Sequence, residues 1–103
     1  MKHYDKLVRD KIPAIIEAKG SHCTTRILSQ EEYLQKLDEK LTEELAEYQE
    51  SKSLEELADL LEVMEAVVKA RGYTVQELAR VREEKREKRG GFDERILLQD
   101  VYE

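Results

Sequence analysis

The sequence predicts a mainly α-helical fold whose centre is an antiparallel helical hairpin. The chain has 103 residues, of which 41% are charged, with four Gly and one Pro, and this composition is typical of a helix-rich domain with few loops. Apolar residues recur at spacings of three and four, the period of an amphipathic helix. At several points a Ser or Thr is followed by Glu three positions later, which is a helix-start signal. We therefore expect one helical domain over residues 1–103.

The N-terminal part is expected to hold less regular structure. Residues 2–12 mix Lys and Arg with Leu, Val and Ile, and we expect an irregular or strand-like arm there. Pro13 suits the first turn of a short helix that ends at Gly20. The segment near 23–28 is rich in Thr and Ile and too short for a stable helix, so we predict a strand. Its expected partner is the apolar run near 95–101, which would add a minor short β element and dock the C-terminal tail on the body.

The first helix of the predicted hairpin begins at Ser29. Ser29 and Glu32 match a capping box, and the helix is expected to run to about Glu50. Its core stripe consists of apolar residues at spacings of three and four: Leu34, Leu37, Leu41, Leu45 and Tyr48. Several acids occupy the arc beside this stripe, so they are predicted to lie next to the core and not opposite it.

The second helix of the hairpin is predicted over residues 54–71. Ser53 and Glu56 match a second capping box, which leaves only two or three residues between the helices and makes them antiparallel. The helix carries apolar residues on two sides: Leu57, Leu61, Met64 and Val68 on one, and Leu60, Val63 and Val67 on the other. A stripe this wide predicts that another subunit or the third helix covers it in addition to the hairpin partner.

The third long helix follows a glycine. Gly72 is expected to end the second helix, and Thr74 with Glu77 matches a third capping box for a helix to about Arg89. The end of this helix is polar all round and is followed by Gly90 and Gly91. The simplest interpretation of the two glycines is a helix stop.

Two pairs of acids flank the predicted turn of the hairpin. Glu44 and Glu47 are three residues apart on the first helix, as are Glu56 and Asp59 on the second, so each pair lies on one helix face. Folding about a midpoint near residues 51–52 places Glu44 opposite Asp59 and Glu47 opposite Glu56, on helices about 8 to 10 Å apart. Such carboxylates repel one another unless a positive group lies among them. An all-oxygen set predicts Mg²⁺ that bridges to substrate phosphates, with Mn²⁺ as a substitute.

A competing interpretation is that these acids only decorate a solvated surface. Residues 30–65 contain 13 acids against three Lys, so any single pair arises easily by chance. The mirror symmetry about the turn favours a site, as does the absence of Lys four residues after Glu43 or Glu47, where a solvated helix would normally have one. Glu56 is also a predicted helix cap, and the two roles compete for one carboxylate.

Basic residues near the two chain ends are candidates for binding substrate phosphates. Lys85, Lys88 and Arg89 lie next to the paired glycines, and a polyphosphate site needs cations for the oxygens that a metal does not reach. Arg9, with neighbouring Lys residues, is a second source. The alternative for the first group is a solvated helix with Glu partners, and for Arg9 a charged edge strand.

The composition and the positions of a few residues argue against several other functions and cellular settings. A net charge of −6 argues against binding a nucleic acid polymer, which depends on excess positive charge. Cys23 is alone, so we expect no disulfide and a reducing, cytoplasmic location. No apolar window is long enough for a membrane span and no export signal is visible. A di-iron centre would need Glu-x-x-His on the helices, but His3 and His22 lie elsewhere.

Three motifs together resemble one family. The segments Glu43-Glu44-x-x-Glu47 and Glu56-x-x-Asp59 are similar to the signature of the MazG-like, all-α nucleoside triphosphate pyrophosphohydrolases, the superfamily that includes phosphoribosyl-ATP pyrophosphohydrolase. The opening Lys6-Leu7-Val8-Arg9-Asp10-Lys11-Ile12-Pro13 and the closing Lys88-Arg89-Gly90-Gly91-Phe92 resemble the flanks of its small single-domain, house-cleaning branch. The resemblance covers nearly the whole chain.

The resemblance implies Mg²⁺-dependent hydrolysis of a nucleotide between its α and β phosphates. The products would be a nucleoside monophosphate and pyrophosphate, and the role would be house-cleaning of noncanonical nucleotides. Carried over by position, the metal ligands would be Glu44, Glu47, Glu56 and Asp59, and Glu43 would be a further ligand or would orient the attacking water. Family members are usually dimers or tetramers, so we expect a homodimer or homotetramer. The preferred base and sugar do not follow from the resemblance.

A function of a second class is also open. The hairpin could be a protein-interaction module without enzymatic activity, in which the acids only keep the helices soluble. Metal binding and pyrophosphate release from nucleotides would separate the two hypotheses.

Overall fold

Four α-helices make up the protein in the computed structural model, which describes all 103 residues. The helices are α1 (Ile12–Ala18), α2 (Gln30–Ser51), α3 (Leu54–Ala70) and α4 (Val75–Arg89). The predicted mainly α fold is confirmed, and α2 and α3 pack on each other as a helical hairpin. None of the helices combines the length and the apolar character that a membrane span requires.

The helix starts follow the predicted capping residues, with one difference. The Ser29 side chain accepts a hydrogen bond from the backbone of Glu32, and the Glu32 side chain accepts one from the backbone of Ser29. Thr74 and Glu77 form the same box at the start of α4. The predicted box at the start of α3 is only half formed: Ser53 Oγ accepts from the backbone of Glu56 at 3.3 Å, but the backbone of Ser53 donates to a neighbouring Ser side chain. The carboxylate of Glu56 is therefore not used in the cap.

The turn between α2 and α3 consists of Lys52 and Ser53. Lys52 has φ 59° and ψ 21°, in the left-handed region, and this conformation reverses the chain without a glycine. Gly72 has φ 91° after α3, where a residue with a Cβ would be strained. The short first turn makes the hairpin antiparallel, as predicted.

The predicted β element is absent. The segments near 23–28 and 95–101 contain no strand, and the tail does not dock on the body, because Ile96, Leu97 and Leu98 are 81%, 82% and 74% exposed. A strand is stable only when a neighbouring strand takes its backbone hydrogen bonds. The two segments share apolar composition, but the fold does not bring them together.

A single chain leaves much of its apolar surface uncovered. Only Leu37 and Glu44 are buried, and the radius of gyration is 18.4 Å, whereas a compact domain of this length has about 13 Å. Leu57, Leu61 and Met64 remain 41%, 54% and 41% exposed on one face of α3. Because α4 contacts α3 without covering this face, the third helix does not provide the predicted second cover.

Candidate metal centre

Five carboxylates of α2 and α3 form two neighbouring groups, and we call these five residues the acidic centre. They form two groups, each with ligand atoms within 4.8 Å of one another. One group lies on α2 and the other spans both helices. The first contains Glu43, Glu44 and Glu47, and the second contains Glu44, Glu56 and Asp59. Glu44 belongs to both groups and is therefore the middle of the acidic centre.

The carboxylate of Glu44 is in an unfavourable environment for a charge. Glu44 is only 6% exposed, and burial, followed by the nearby Glu47 carboxylate, raises its pKa above the ordinary value. Lys40 on the same helix lies 3.4 Å from Glu44 Oε1 and partly offsets this effect. Glu44 Oε2 is buried without a hydrogen-bond partner, although buried carboxylate oxygens in proteins normally have one.

Glu56 has a second buried carboxylate oxygen without a hydrogen-bond partner. Its Oε2 atom is buried and has no hydrogen-bond partner, and its carboxylate is not engaged in the helix cap. The predicted competition between capping and metal binding at Glu56 is therefore wrong. Two unpartnered oxygens, one from each helix of the hairpin, are available in the acidic centre.

The predicted facing pairs are reproduced in part. Glu44 and Asp59 lie in one group, as expected from their equal distances to the turn. No group contains both Glu47 and Glu56, and the side chain of Glu47 stays exposed on α2. Glu44 is within reach of both of these residues and lies between them. Equal distance from the turn predicts which residues lie at the same height on the two helices. It does not predict which side chain occupies the space between the helices.

The N-terminal arm supplies two cations to the acidic centre. Lys6 Nζ lies 2.9 Å from Glu43 Oε1, and Arg9 Nη2 donates to Asp59 Oδ1 at 2.7 Å. The hydrogen bond from Lys6 holds the pKa of Glu43 below its ordinary value, with Lys40 contributing. The same pair raises the pKa of Lys6. Glu43 is thus already neutralised by the chain itself.

Lys40 pairs with two of the acids, a contact that was not predicted from the sequence. It lies 3.5 Å from Glu43 Oε1 and 3.4 Å from Glu44 Oε1, three and four residues before them on α2. The spacings of three and four residues are a local signal for both contacts, because such pairs interact on a helix in either order. The contact of Lys6 crosses from the arm to α2 and has no local signal.

The other predicted phosphate ligands lie apart from the acidic centre. Lys85 and Arg89 line an open cavity of about 460 Å³ together with Gly90, Gly91 and Phe92. Only α4 and the segment after it form this cavity, and Lys88 is not part of its lining. Within one chain, Arg9 is the predicted phosphate ligand that touches the acidic centre.

The residues of the acidic centre fit a hard divalent cation. Its five carboxylates face three cations, Lys6, Arg9 and Lys40, so two negative charges remain uncompensated. The donors are all carboxylate oxygens, which suit Mg²⁺ and Mn²⁺. The buried, unpartnered oxygens of Glu44 and Glu56 would gain a partner if a cation were bound. The group of Glu44, Glu56 and Asp59 is better suited than the group with Glu43, which two Lys side chains already hold.

Comparison with known proteins finds a short region of similarity in a bacterial protein. A protein of Mycolicibacterium smegmatis, described as uncharacterized, is 52% identical over 42 residues. These residues are 41% of this chain and 43% of that protein, so the match spans less than half of either. No family model and no solved structure matches the chain. The geometry of the acidic centre therefore carries the functional argument.

Proposed function

We propose that the protein is a Mg²⁺-dependent nucleoside triphosphate pyrophosphohydrolase, which cleaves a nucleotide between its α and β phosphates and releases pyrophosphate. One observation carries the proposal: carboxylates from two antiparallel helices converge on the buried Glu44, and one oxygen from each helix lacks a partner. Without a cation, the buried charge and the unpaired oxygens lower the free energy of unfolding. The resemblance of the acidic segments and of both flanks to the MazG-like superfamily supplies the substrate class, and house-cleaning of noncanonical nucleotides is the role it implies.

The metal ligands in this proposal are Glu44, Glu56 and Asp59, with Glu47 at the edge of the centre. When bound, Mg²⁺ would screen the charge of the phosphates and activate the attacking water. Lys6 and Lys40 hold the carboxylate of Glu43 in place. In this proposal Glu43 is a further ligand or the group that orients the water.

The phosphates not reached by the metal need cations from the protein. Arg9 is already at the acidic centre, and its guanidinium can donate two parallel hydrogen bonds to a phosphate. Lys85, Lys88 and Arg89 would contribute only if a second copy brought α4 to the centre, because all three lie on α4 and the cavity lined by Lys85 and Arg89 contains no residue of α2 or α3. In this proposal Arg9 binds phosphate at the acidic centre of its own chain, and the α4 residues bind phosphate at the centre of a second copy.

The active form in this proposal is a homodimer or homotetramer. The chain exposes 9786 Å², whereas a compact folded monomer of 12.1 kDa would expose about 6,000 Å². The difference exceeds the roughly 1,000 to 2,500 Å² that each partner buries in an obligate interface, so the chain has ample surface for one. The exposed apolar face of α3, formed by Leu57, Leu61 and Met64, is the surface that a second copy would cover. The lone and exposed Cys23 fits a reducing, cytoplasmic setting.

A panel of nucleotides tests the proposed activity directly. Purified protein with Mg²⁺ should release pyrophosphate from at least one canonical or noncanonical nucleoside triphosphate, or from phosphoribosyl-ATP. Glu56→Gln, Asp59→Asn and Glu47→Gln should each lower turnover at least about 10-fold, because loss even of a group that only supports a metal ligand costs about 10- to 100-fold. Glu50→Gln, an exposed acid of α2 outside the centre, should keep wild-type turnover. Release of orthophosphate alone, or full activity of Asp59→Asn, would contradict the proposal.

The exposed apolar face of α3 also fits the second function, a helical-hairpin module that binds proteins without catalysis. In that case the acids would only solubilise the hairpin. No pyrophosphate from any nucleotide, combined with no effect of Mg²⁺ on the melting temperature, would favour the interaction module.

A further inference from the structure

The N-terminal arm lies across the acidic centre and is held there at several points. Lys6 pairs with Glu43 at 2.9 Å, and Arg9 pairs with Asp59 at 2.7 Å. Lys36 Nζ also donates to the backbone carbonyl of Asp5 at 3.4 Å. The arm therefore contacts α2 and α3 through residues that are close together in the chain. One of its anchors, Asp59, is also a carboxylate on which the proposed metal site depends.

We propose that Arg9 and the divalent cation compete for Asp59, so that cation binding releases Arg9 from this carboxylate. This inference rests on the proposed function, because it assumes that the acidic centre binds a divalent cation. Lys6 remains on Glu43, which belongs to the other group of acids. The arm is then loosened at Arg9 and still tethered at Lys6.

Repulsion between their positive charges explains why Arg9 and the divalent cation compete for the carboxylate of Asp59. A guanidinium on Oδ1 and a divalent ion on the second oxygen of Asp59 would lie only a few Å apart. At that distance the repulsion between them exceeds the small gain of a surface ion pair. The pair is a surface one, since the side chains of Arg9 and Asp59 are 57% and 40% exposed. Arg9 is consequently the weaker of the two competitors.

Release gives Arg9 a second function. The freed guanidinium remains next to the acidic centre through the tether at Lys6, and it has five N–H donors without a carboxylate partner. Phosphate oxygens of a nucleotide are the acceptors that suit it. Arg9 thus compensates the charge of Asp59 in the metal-free state and becomes a phosphate ligand once the centre holds its cation.

A calorimetric titration with Mn²⁺, without nucleotide, tests the competition. Arg9→Gln should bind Mn²⁺ about two- to five-fold more tightly than the wild type, the range expected when an exposed ion pair no longer competes. Lys11→Gln is the matched control, because it removes one positive charge from the same arm and Lys11 has no carboxylate within ion-pair distance. Its affinity should equal that of the wild type.

The outcomes of the titration separate this inference from the proposed function. Equal or weaker binding by Arg9→Gln overturns the competition, and weaker binding would mean that Arg9 instead supports Asp59 as a ligand. An equal gain in Lys11→Gln would also overturn it, because the effect would then be one of net charge. If no variant binds Mn²⁺, the metal site and the proposed function both fail.

Trypsin provides a second readout that does not involve catalysis. Cleavage after Arg9 should become faster when Mg²⁺ releases its side chain from Asp59, whereas cleavage after Arg71, in the turn that follows α3, should not. A ratio of the two rates that stays constant or falls on addition of Mg²⁺ would contradict the release of Arg9.

Discussion

The carboxylate of Glu44 on α2 lies within 4.8 Å of the carboxylate of Asp59 on α3, although Glu44 is 6% exposed. Two acids this close, one of them buried, repel each other and destabilise the folded chain. Arg9 compensates Asp59, but one oxygen of Glu44 has no partner. Repulsion between carboxylates and an unpartnered buried oxygen, concentrated in one place, are typical of a functional site.

Replacing Glu44 should stabilise the protein in the absence of divalent cations. Glu44→Gln removes the buried charge, and its amide can donate to the carboxylate of Glu47 or Glu56. We expect the free energy of unfolding at pH 7 to rise by about 1 kcal/mol, which corresponds to a melting temperature about 4 to 8 °C higher for a domain of this size. Glu50→Gln, on the exposed side of α2, should change it by less than about 0.5 kcal/mol.

The effect of Glu44 should depend on pH. Because burial raises the pKa of Glu44 in the folded chain above its ordinary value of 4.5, its contribution to stability is present below that value and is lost as the pH rises through the folded pKa. Urea unfolding without divalent cations should therefore show Glu44→Gln and wild type converging near pH 4 and diverging towards pH 7. A constant difference across this range would contradict the assignment.

Glu32 should show the opposite pH dependence. The hydrogen bond from Arg26, with that from the backbone of Ser29, lowers the pKa of Glu32 to about 2. Stability from this group is present above the ordinary value of 4.5 and is lost as the pH falls towards 2. The wild type should lose more stability over this interval than Glu32→Gln does. Glu31→Gln, in the same helical turn but in no ion pair, should follow the wild type.

The apolar face of α3 should mediate self-association. Leu61 is 54% exposed in the single chain, and burying such a side chain contributes about 1.5 to 3 kcal/mol. Leu61→Glu should therefore weaken association by roughly 10- to 100-fold, as measured by sedimentation velocity, with helix content unchanged by circular dichroism. Ile27→Glu, which changes an exposed residue outside the helices, is the control. A wild-type protein that is monomeric at all concentrations would contradict this role.

Features that depend on neighbouring residues could be predicted from the sequence. The start of α2 after Ser29 and of α4 after Thr74 follow from capping boxes, whose partners are three residues apart. The end of α3 near Gly72 follows from the left-handed conformation that a glycine adopts easily. The proximity of Glu44 to Asp59 could also be predicted, because a two-residue turn determines which residues of the two helices lie opposite each other.

Features that depend on distant parts of the chain could not be predicted. The segments near 23–28 and 95–101 have the composition of strands, but nothing local determines whether they meet. The same holds for Arg9, whose contact with Asp59 joins residues 50 positions apart. Which carboxylate becomes buried is likewise set by packing between helices, and periodicity alone did not distinguish Glu44 from Glu47.

The proposed function depends on a binding site for a divalent cation that the carboxylates of α2 and α3 form. Thermal unfolding with and without a few millimolar Mg²⁺ tests it most directly, because a ligand bound only by the folded state stabilises that state. The melting temperature should rise with Mg²⁺ concentration in the wild type and rise much less in Glu44→Gln. Identical melting temperatures with and without Mg²⁺ in the folded wild type would contradict it.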